Sequence, residues 1–133
     1  MRVLVDANVI LSAILFPEGA AAAALTCVVS DHQLLLSLYT IHELRKVFER
    51  KFPDKTAALD SFLEALTYEQ VETPESIDPK EYPELRDPDD LLVLASAKEA
   101  ACDYLMTGDK DLLVLQTSRP RIVSPAEFIR LNK

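Results

Sequence analysis

The chain has 133 residues and a mass of 14.8 kDa, a length that predicts one domain, residues 1–133, with a hydrophobic core of its own. Its composition, 49% hydrophobic and 27% charged, is that of a folded protein, and its net charge of −8 does not indicate a general nucleic-acid-binding surface. Two glycines are too few for glycine-rich phosphate-binding loops or a nucleophile elbow, and two cysteines exclude a disulfide framework or a thiolate zinc site.

Short apolar runs alternate with helically spaced apolar residues through the first half of the chain. In order, they predict a strand at 3–5, helices at 8–16 and 20–31, a strand at 33–37, helices at 40–52 and 56–66, and a weak strand at 68–72.

The second half begins with an irregular segment, because four prolines lie within residues 73–88. A helix then runs from Asp89 or Asp90 to about residue 101, followed by a strand at 104–106 and a short helix ending near 115. A last strand at 121–123 precedes a helix whose start, Ser124 to Glu127, is a capping box with proline at the first helical position.

This alternation predicts a three-layer α/β/α sandwich with a central parallel sheet of about five strands. Asp6 and Asn8 interrupt the apolar N-terminal segment, which therefore does not read as a signal peptide, and no apolar run approaches the ~18 residues of a membrane span. We expect a cytoplasmic protein with no membrane partner.

Acidic residues recur where the carboxyl ends of the predicted strands meet. In parallel sheets this edge holds the ligand site. Each acid also has a structural alternative, since an acid at a helix start caps the helix, and Thr40 to Glu43 is itself a capping box. If the acids converge, their repulsion requires a bound cation. Oxygen ligands favour Mg²⁺ or Mn²⁺. Such an ion activates water for the hydrolysis of phosphodiester bonds. The polar residues concerned are Asp6, Asn8, Glu43, Asp89, Asp90, Thr107, Asp109 and Asp111.

Four segments, VLVDANVILSAIL, SLYTIHELRKVF, RDPDDLLVLASA and DYLMTGDKDLL, resemble in this order the PIN-domain family, and within it the VapC-like toxins of toxin–antitoxin systems. The resemblance implies a metal-dependent ribonuclease with strand order 3-2-1-4-5, an antitoxin partner and a homodimer. It implies catalytic roles for Asp6, Glu43, Asp90 and Asp109, of which Asp6, Asp90 and Asp109 bind the metal ion and Glu43 completes the pocket or activates water. Supporting roles fall to Asn8, Thr107, Asp111 and Asp89, and the choice between Asp89 and Asp90 as the third acid stays open.

The RNA backbone requires positive charge, and the best local source is the helix that carries Glu43. Arg45 and Lys46, with Arg50 and Lys51 beyond them, are therefore predicted to bind RNA, the alternative being a solvated helix face. The acidic segment 69–90 is either only a solubilising surface, or a surface that repels non-substrate nucleic acid and binds a basic partner such as a segment of an antitoxin.

Two other functions fit the same pattern. One is a Mg²⁺-dependent phosphohydrolase on a similar α/β fold, although Asn8 stands where a D-x-D site would place its second acid. The other is a PIN-like interaction module that has no catalytic activity.

Overall fold

The computed structural model describes residues 1–82, 85 and 87–132; positions 83, 84 and 86 of the predicted irregular segment, and position 133, lie outside the described residues. Five strands form an all-parallel sheet in the order β3-β2-β1-β4-β5, which confirms the predicted order. The strands are β1 (Arg2–Val5), β2 (Gln33–Ser37), β3 (Glu69–Val71), β4 (Tyr104–Met106) and β5 (Arg121–Val123).

Helices connect these strands and cover both faces of the sheet. They are α1 (Ala7–Leu15), α2 (Ala20–Asp31), α3 (Leu38–Lys51), α4 (Thr56–Ala65), α5 (Pro88–Glu99), α6 (Lys110–Leu113) and α7 (Pro125–Leu131), with single turns of 3₁₀ helix at Pro53–Lys55 and Pro79–Glu81. The last helix begins as predicted, since the Ser124 hydroxyl accepts a hydrogen bond from the Glu127 amide at 3.1 Å.

Side chains of the central strand alternate between two hydrophobic cores, as the pleat of a strand requires. Val3 and Val5 pack with residues of α1, α2, α3, α4 and α7, including Phe48 and Phe128, which are fully buried. Leu4 points to the opposite face and packs with α5 and α6. The predicted three-layer α/β/α sandwich is therefore confirmed.

Helices α3 and α5 begin earlier than the apolar spacing predicts, and in each case a polar residue caps the observed start. Ser37 caps α3, accepting a hydrogen bond from the Thr40 amide at 3.1 Å. Asp87 caps α5, with Pro88 at the first helical position, so that neither Asp89 nor Asp90 is the cap. Propensity does not distinguish neighbouring capping residues, and helix ends are therefore the least determined part of a sequence prediction.

Among the described residues, no single helix is long and apolar enough to cross a membrane. Helices α1 and α2 satisfy a length and hydropathy criterion only as a pair, and they are bent by 111° relative to each other.

The strand order reverses at β1, which lies at the centre of the sheet. The chain moves from β1 to β2 and β3 on one side, and to β4 and β5 on the other. The carboxyl ends of β1 and β4 are neighbours, with Val5 opposite Met106. A crevice at such a reversal of strand order is the usual ligand site of an open parallel sheet.

Candidate functional site

A cleft of about 230 Å³ opens at this reversal of strand order, between α1, α3 and α5. Six acidic side chains contribute to its lining, and within the described part of the chain no basic residue does. All four acids predicted to be catalytic are among the six, which are Asp6, Glu43, Asp87, Asp89, Asp90 and Asp109.

Asp6 is held in this cleft by hydrogen bonds to both of its carboxylate oxygens. Oδ1 accepts from the Ala7 amide at 2.8 Å, which caps α1. Oδ2 accepts from the Thr107 hydroxyl at 2.8 Å and from the Asn8 amide group at 3.2 Å. Burial raises the pKa of Asp6, and the charge of Asp109 adds to the rise, although the hydrogen bonds oppose it. Asp6 thus both caps α1 and lines the cleft.

Thr107 and Asn8 join the loop after β1 to the loop after β4. The Thr107 side chain is fully buried, and its hydroxyl oxygen accepts from the Asp109 amide at 3.0 Å while it donates to Asp6. Asn8 Oδ1 accepts from the Gly108 amide at 2.9 Å. A Cβ at Gly108 would lie 3.3 Å from that same Asn8 oxygen, so glycine leaves room for this contact. Thr107 and Asn8, two of the four residues predicted in support, therefore contact and position Asp6.

Asp90 is the least compensated acid in the site. It is 7% exposed, and its Oδ2 is buried with no hydrogen-bond partner among the described residues. Burial raises the pKa of Asp90 to about 7, with further contributions from the adjacent Asp109 carboxylate and from the charges of Asp87 and Asp6. Asp89, its neighbour in sequence, is exposed at the rim of the same cleft.

Asp109 and Asp111 complete an acidic cluster with Asp90. Asp109 caps α6 by accepting from the Asp111 amide at 2.9 Å. One carboxylate oxygen from each of Asp90, Asp109 and Asp111 lies within 4.8 Å of the other two. Asp6 is outside this trio, although its charge acts on Asp90. Asp111, which was predicted only in a supporting role, therefore belongs to the cluster with Asp90 and Asp109, whereas Asp6 does not.

Glu43 reaches the cleft because α3 begins at Leu38. This start leaves Glu43 beyond the first turn of the helix, so the capping box from Thr40 to Glu43 is wrong. The half-buried side chain of Glu43 instead lines the cleft.

Two polar residues of the cleft, Tyr39 and Asp87, were not predicted from the sequence. Tyr39 lies one helical turn before Glu43, and burial, together with the charges of Glu43 and Asp89, raises the pKa of its hydroxyl. Asp87 faces the cleft at the start of α5. The dipeptide Asp87-Pro88 was the available signal, since a capping acid before a proline marks a helix start.

Arg45 and Lys46, two of the four cations of α3 predicted to bind RNA, have different surroundings. The Arg45 guanidinium forms an ion pair with Asp60 of α4. Lys46 is exposed and forms no ion pair with the described residues. Neither residue lines the cleft itself.

The donor set of the acidic cluster fits a divalent cation. Its ligands are carboxylate oxygens, which suit Mg²⁺ or Mn²⁺ better than softer metals. The buried Oδ2 of Asp90 has no donor group to compensate its charge, and a carboxylate so placed is stable only when it is protonated or paired with positive charge. A bound divalent ion would supply that charge.

Comparison with known proteins gives a family and a fold. The sequence profile of the PIN domain matches residues 2–111, a range that contains every acid described above. The fold is similar to that of a chain in the crystal structure of VapBC2 from Rickettsia felis bound to a DNA fragment from their promoter. The TM-score is 0.63 at 18% identity, and the match covers 93% of this chain and 97% of that one. A sequence comparison with curated proteins finds no match.

In metal-free protein, we expect the contribution of Asp90 to the free energy of unfolding to fall as the pH rises. The folded protein keeps the proton on Asp90 up to about pH 7, whereas the unfolded chain loses it near the ordinary pKa of 3.8. Folding therefore binds a proton between these values, and stability decreases across that window. Urea unfolding in EDTA should show Asp90→Asn becoming more stable relative to wild type between about pH 4 and about pH 8. A difference between the two proteins that is independent of pH would contradict the raised pKa.

Replacing Thr107 tests the bridge between the two loops. Thr107→Val keeps the shape of the side chain but leaves the Asp109 amide without its acceptor and removes the shorter of the two side-chain hydrogen bonds to Asp6 Oδ2, which keeps only the one from Asn8. We expect the free energy of unfolding to fall by about 1–3 kcal/mol in urea titrations. Thr107→Ser, which retains the hydroxyl, is the control. A loss of stability in Thr107→Ser but not in Thr107→Val would assign the role of this residue to the packing of its methyl group and contradict the bridge.

Proposed function

This chain belongs to the PIN domain family, and from that premise we propose that it is a metal-dependent ribonuclease that hydrolyses phosphodiester bonds in an RNA substrate. The ion it uses is Mg²⁺ or Mn²⁺, in keeping with a site built of carboxylates.

The observation that carries this proposal is the buried Oδ2 of Asp90 beside Asp109 and Asp111. An acid placed only to stabilise a helix start would be compensated by backbone amides, as Asp87 is by the Asp89 amide at 2.9 Å. Oδ2 of Asp90 lacks such compensation in the described structure and faces further negative charge. A cluster of carboxylates in which one buried oxygen has no hydrogen-bond donor is suited to binding a cation, which supplies the missing positive charge.

Each acid has a distinct task in this proposal. Asp6, Asp90 and Asp109 hold the ion directly or through water, and Asp111 is close enough to Asp90 and Asp109 to assist. When bound, the ion lowers the pKa of a water molecule and offsets charge on the phosphate. Glu43, across the cleft on α3, orients the attacking water and accepts its proton.

The proposed attack by water determines the products. Water adds to phosphorus and the bond to the 3′-oxygen of the preceding nucleotide breaks, so one fragment ends in a 5′-phosphate and the other in a 3′-hydroxyl. The 2′-hydroxyl of the substrate takes no part as a nucleophile. Cleavage by attack of that hydroxyl would instead leave a 2′,3′-cyclic phosphate.

We also propose that the chain is the toxin of a toxin–antitoxin pair and binds an antitoxin protein. The support is the likeness of fold to a chain of VapBC2, over 93% of this chain. The second partner that we propose is another copy of this chain, with which it forms a homodimer. Val29 of α2 and Leu131 of α7, both 40% exposed, offer apolar surface for it on helices that pack against each other.

Removing single carboxylate charges tests the nuclease. We expect wild type to cleave RNA oligonucleotides with Mg²⁺ and not with EDTA, and Asp6→Asn and Asp90→Asn to lose about 100-fold or more of the rate, because each removes charge that holds the ion. Asp54→Asn, an exposed acid beyond the far end of α3, is the matched control. End-group analysis should find 5′-phosphates, and cyclic phosphates would contradict the mechanism.

The same proteins separate the two alternatives. Hydrolysis of small phosphomonoesters without RNA cleavage would favour a phosphohydrolase. An absence of turnover, with no thermal stabilisation by Mg²⁺, would favour an interaction module.

The homodimer is tested by light scattering during size-exclusion chromatography. We expect wild type to have twice the 14.8 kDa mass of the chain. Val29→Lys with Leu131→Lys should shift it towards monomer, since a buried unpaired charge opposes association. Val114→Lys, at a residue 75% exposed after α6, is the control. A double variant that stays dimeric would contradict this interface.

A further inference from the structure

One face of α3 carries residues of the cleft and then two cations. Tyr39, Glu43, Lys46 and Arg50 follow one another at intervals of four, three and four residues, which places them along the same side of the helix. Tyr39 and Glu43 line the cleft. Lys46 and Arg50 lie about 4.5 Å and about 10 Å beyond Glu43 along the helix axis, at a rise of about 1.5 Å per residue.

Arg45 does not share this face. It is two residues from Glu43, which turns it about 200° away around the helix. Its guanidinium pairs with Asp60 of α4, so its charge is already partly compensated. Lys46 and Arg50 are exposed and form no ion pair within the described ranges.

Charge around the cleft differs between its two ends. At the α5 end, Asp87 and Asp89 add negative charge at the rim. On α3, to either side of Val47 along the helix, the exposed side chains of Lys46 and Arg50 are positive and outnumber the one exposed acid between them, Glu49. A polyanion that has one phosphate in the cleft is therefore repelled at the α5 end and attracted at the α3 end.

The size of the cleft requires that most of a nucleic-acid strand lies outside it. Its volume of about 230 Å³ is below the range of roughly 300–1,000 Å³ usual for sites that enclose a small molecule. The contacts that hold the rest of the strand must come from the neighbouring surface.

We propose that the backbone of a single-stranded RNA leaves the cleft along this face of α3, with its phosphates bound by Lys46 and Arg50. This inference rests on the proposed ribonuclease function and adds the path of the substrate. Of the cations indicated by the sequence, it retains Lys46 and Arg50, and it leaves Arg45 to its ion pair with Asp60.

The test measures binding separately from cleavage. Fluorescence anisotropy with a labelled single-stranded RNA oligonucleotide, in Ca²⁺ and at several salt concentrations, gives the affinity and its salt dependence, and a gel checks that the RNA stays intact. Lys46→Gln with Arg50→Gln should weaken binding by about tenfold and reduce the slope of log affinity against log salt by about 1.4, at about 0.7 per lost phosphate contact.

The control removes the same charge elsewhere. Arg121→Gln with Arg130→Gln takes two exposed cations from β5 and α7, where both lie near Glu127. Its affinity and salt slope should match those of wild type. Circular dichroism establishes that both double variants are folded.

Two results would overturn the inference: unchanged RNA binding in the Lys46 and Arg50 variant, or an equal loss in the control. Unchanged RNA binding with lost binding of a protein partner would assign this face to that partner and equally overturn it. A wild type that binds RNA through these two cations but cleaves none with Mg²⁺ would contradict the nuclease and leave this path supported.

Discussion

Repulsion between like charges is the constraint on which this protein's functional edge depends. Asp6, Asp90 and Asp109 come from three separate parts of the chain and face one cleft. Their burial, and to a smaller degree the repulsion between them, opposes the folded state, which is why the pKa values of Asp6 and Asp90 rise. The fold tolerates this because three helices begin at the same edge, and helix N-termini favour negative charge. Asp6 caps α1, Asp109 caps α6, and Asp87 caps α5 three residues before Asp90.

Capping and function are therefore joined in the same residues. A carboxylate has two oxygens, and in Asp109 one oxygen satisfies the first turn of its helix while the carboxylate still approaches Asp90 and Asp111. Asp90 differs because Asp87 caps α5, so the Asp90 carboxylate does not cap a helix. This division explains why the buried oxygen that has no hydrogen-bond partner in the described structure belongs to Asp90.

The bridge through Thr107 and Asn8 turns two neighbouring strand ends into one rigid unit. Thr107 contacts both Asp6 and the Asp109 amide, and Asn8 contacts Gly108. Since β1 and β4 are already paired, these short bonds hold the acids against the repulsion between them. No basic side chain of the described residues lines the cleft, and the cations of α3, Lys46 and Arg50, are exposed outside it.

The sequence by itself determined the parallel α/β architecture and the edge at which the acids meet, because apolar periodicity and polar residues after strands are local patterns. The strand order and the separate roles of Asp6, Glu43, Asp90 and Asp109 came from the resemblance to PIN domains. Local patterns did not reveal that Ser37 and Asp87 begin their helices, since neighbouring polar residues cap equally well. Only the tertiary structure decided that Asp111 joins Asp90 and Asp109, that Tyr39 enters the cleft, and that Arg45 turns to Asp60. Those contacts depend on how helices are rotated and packed against one another, which the order of residues in a single helix does not specify.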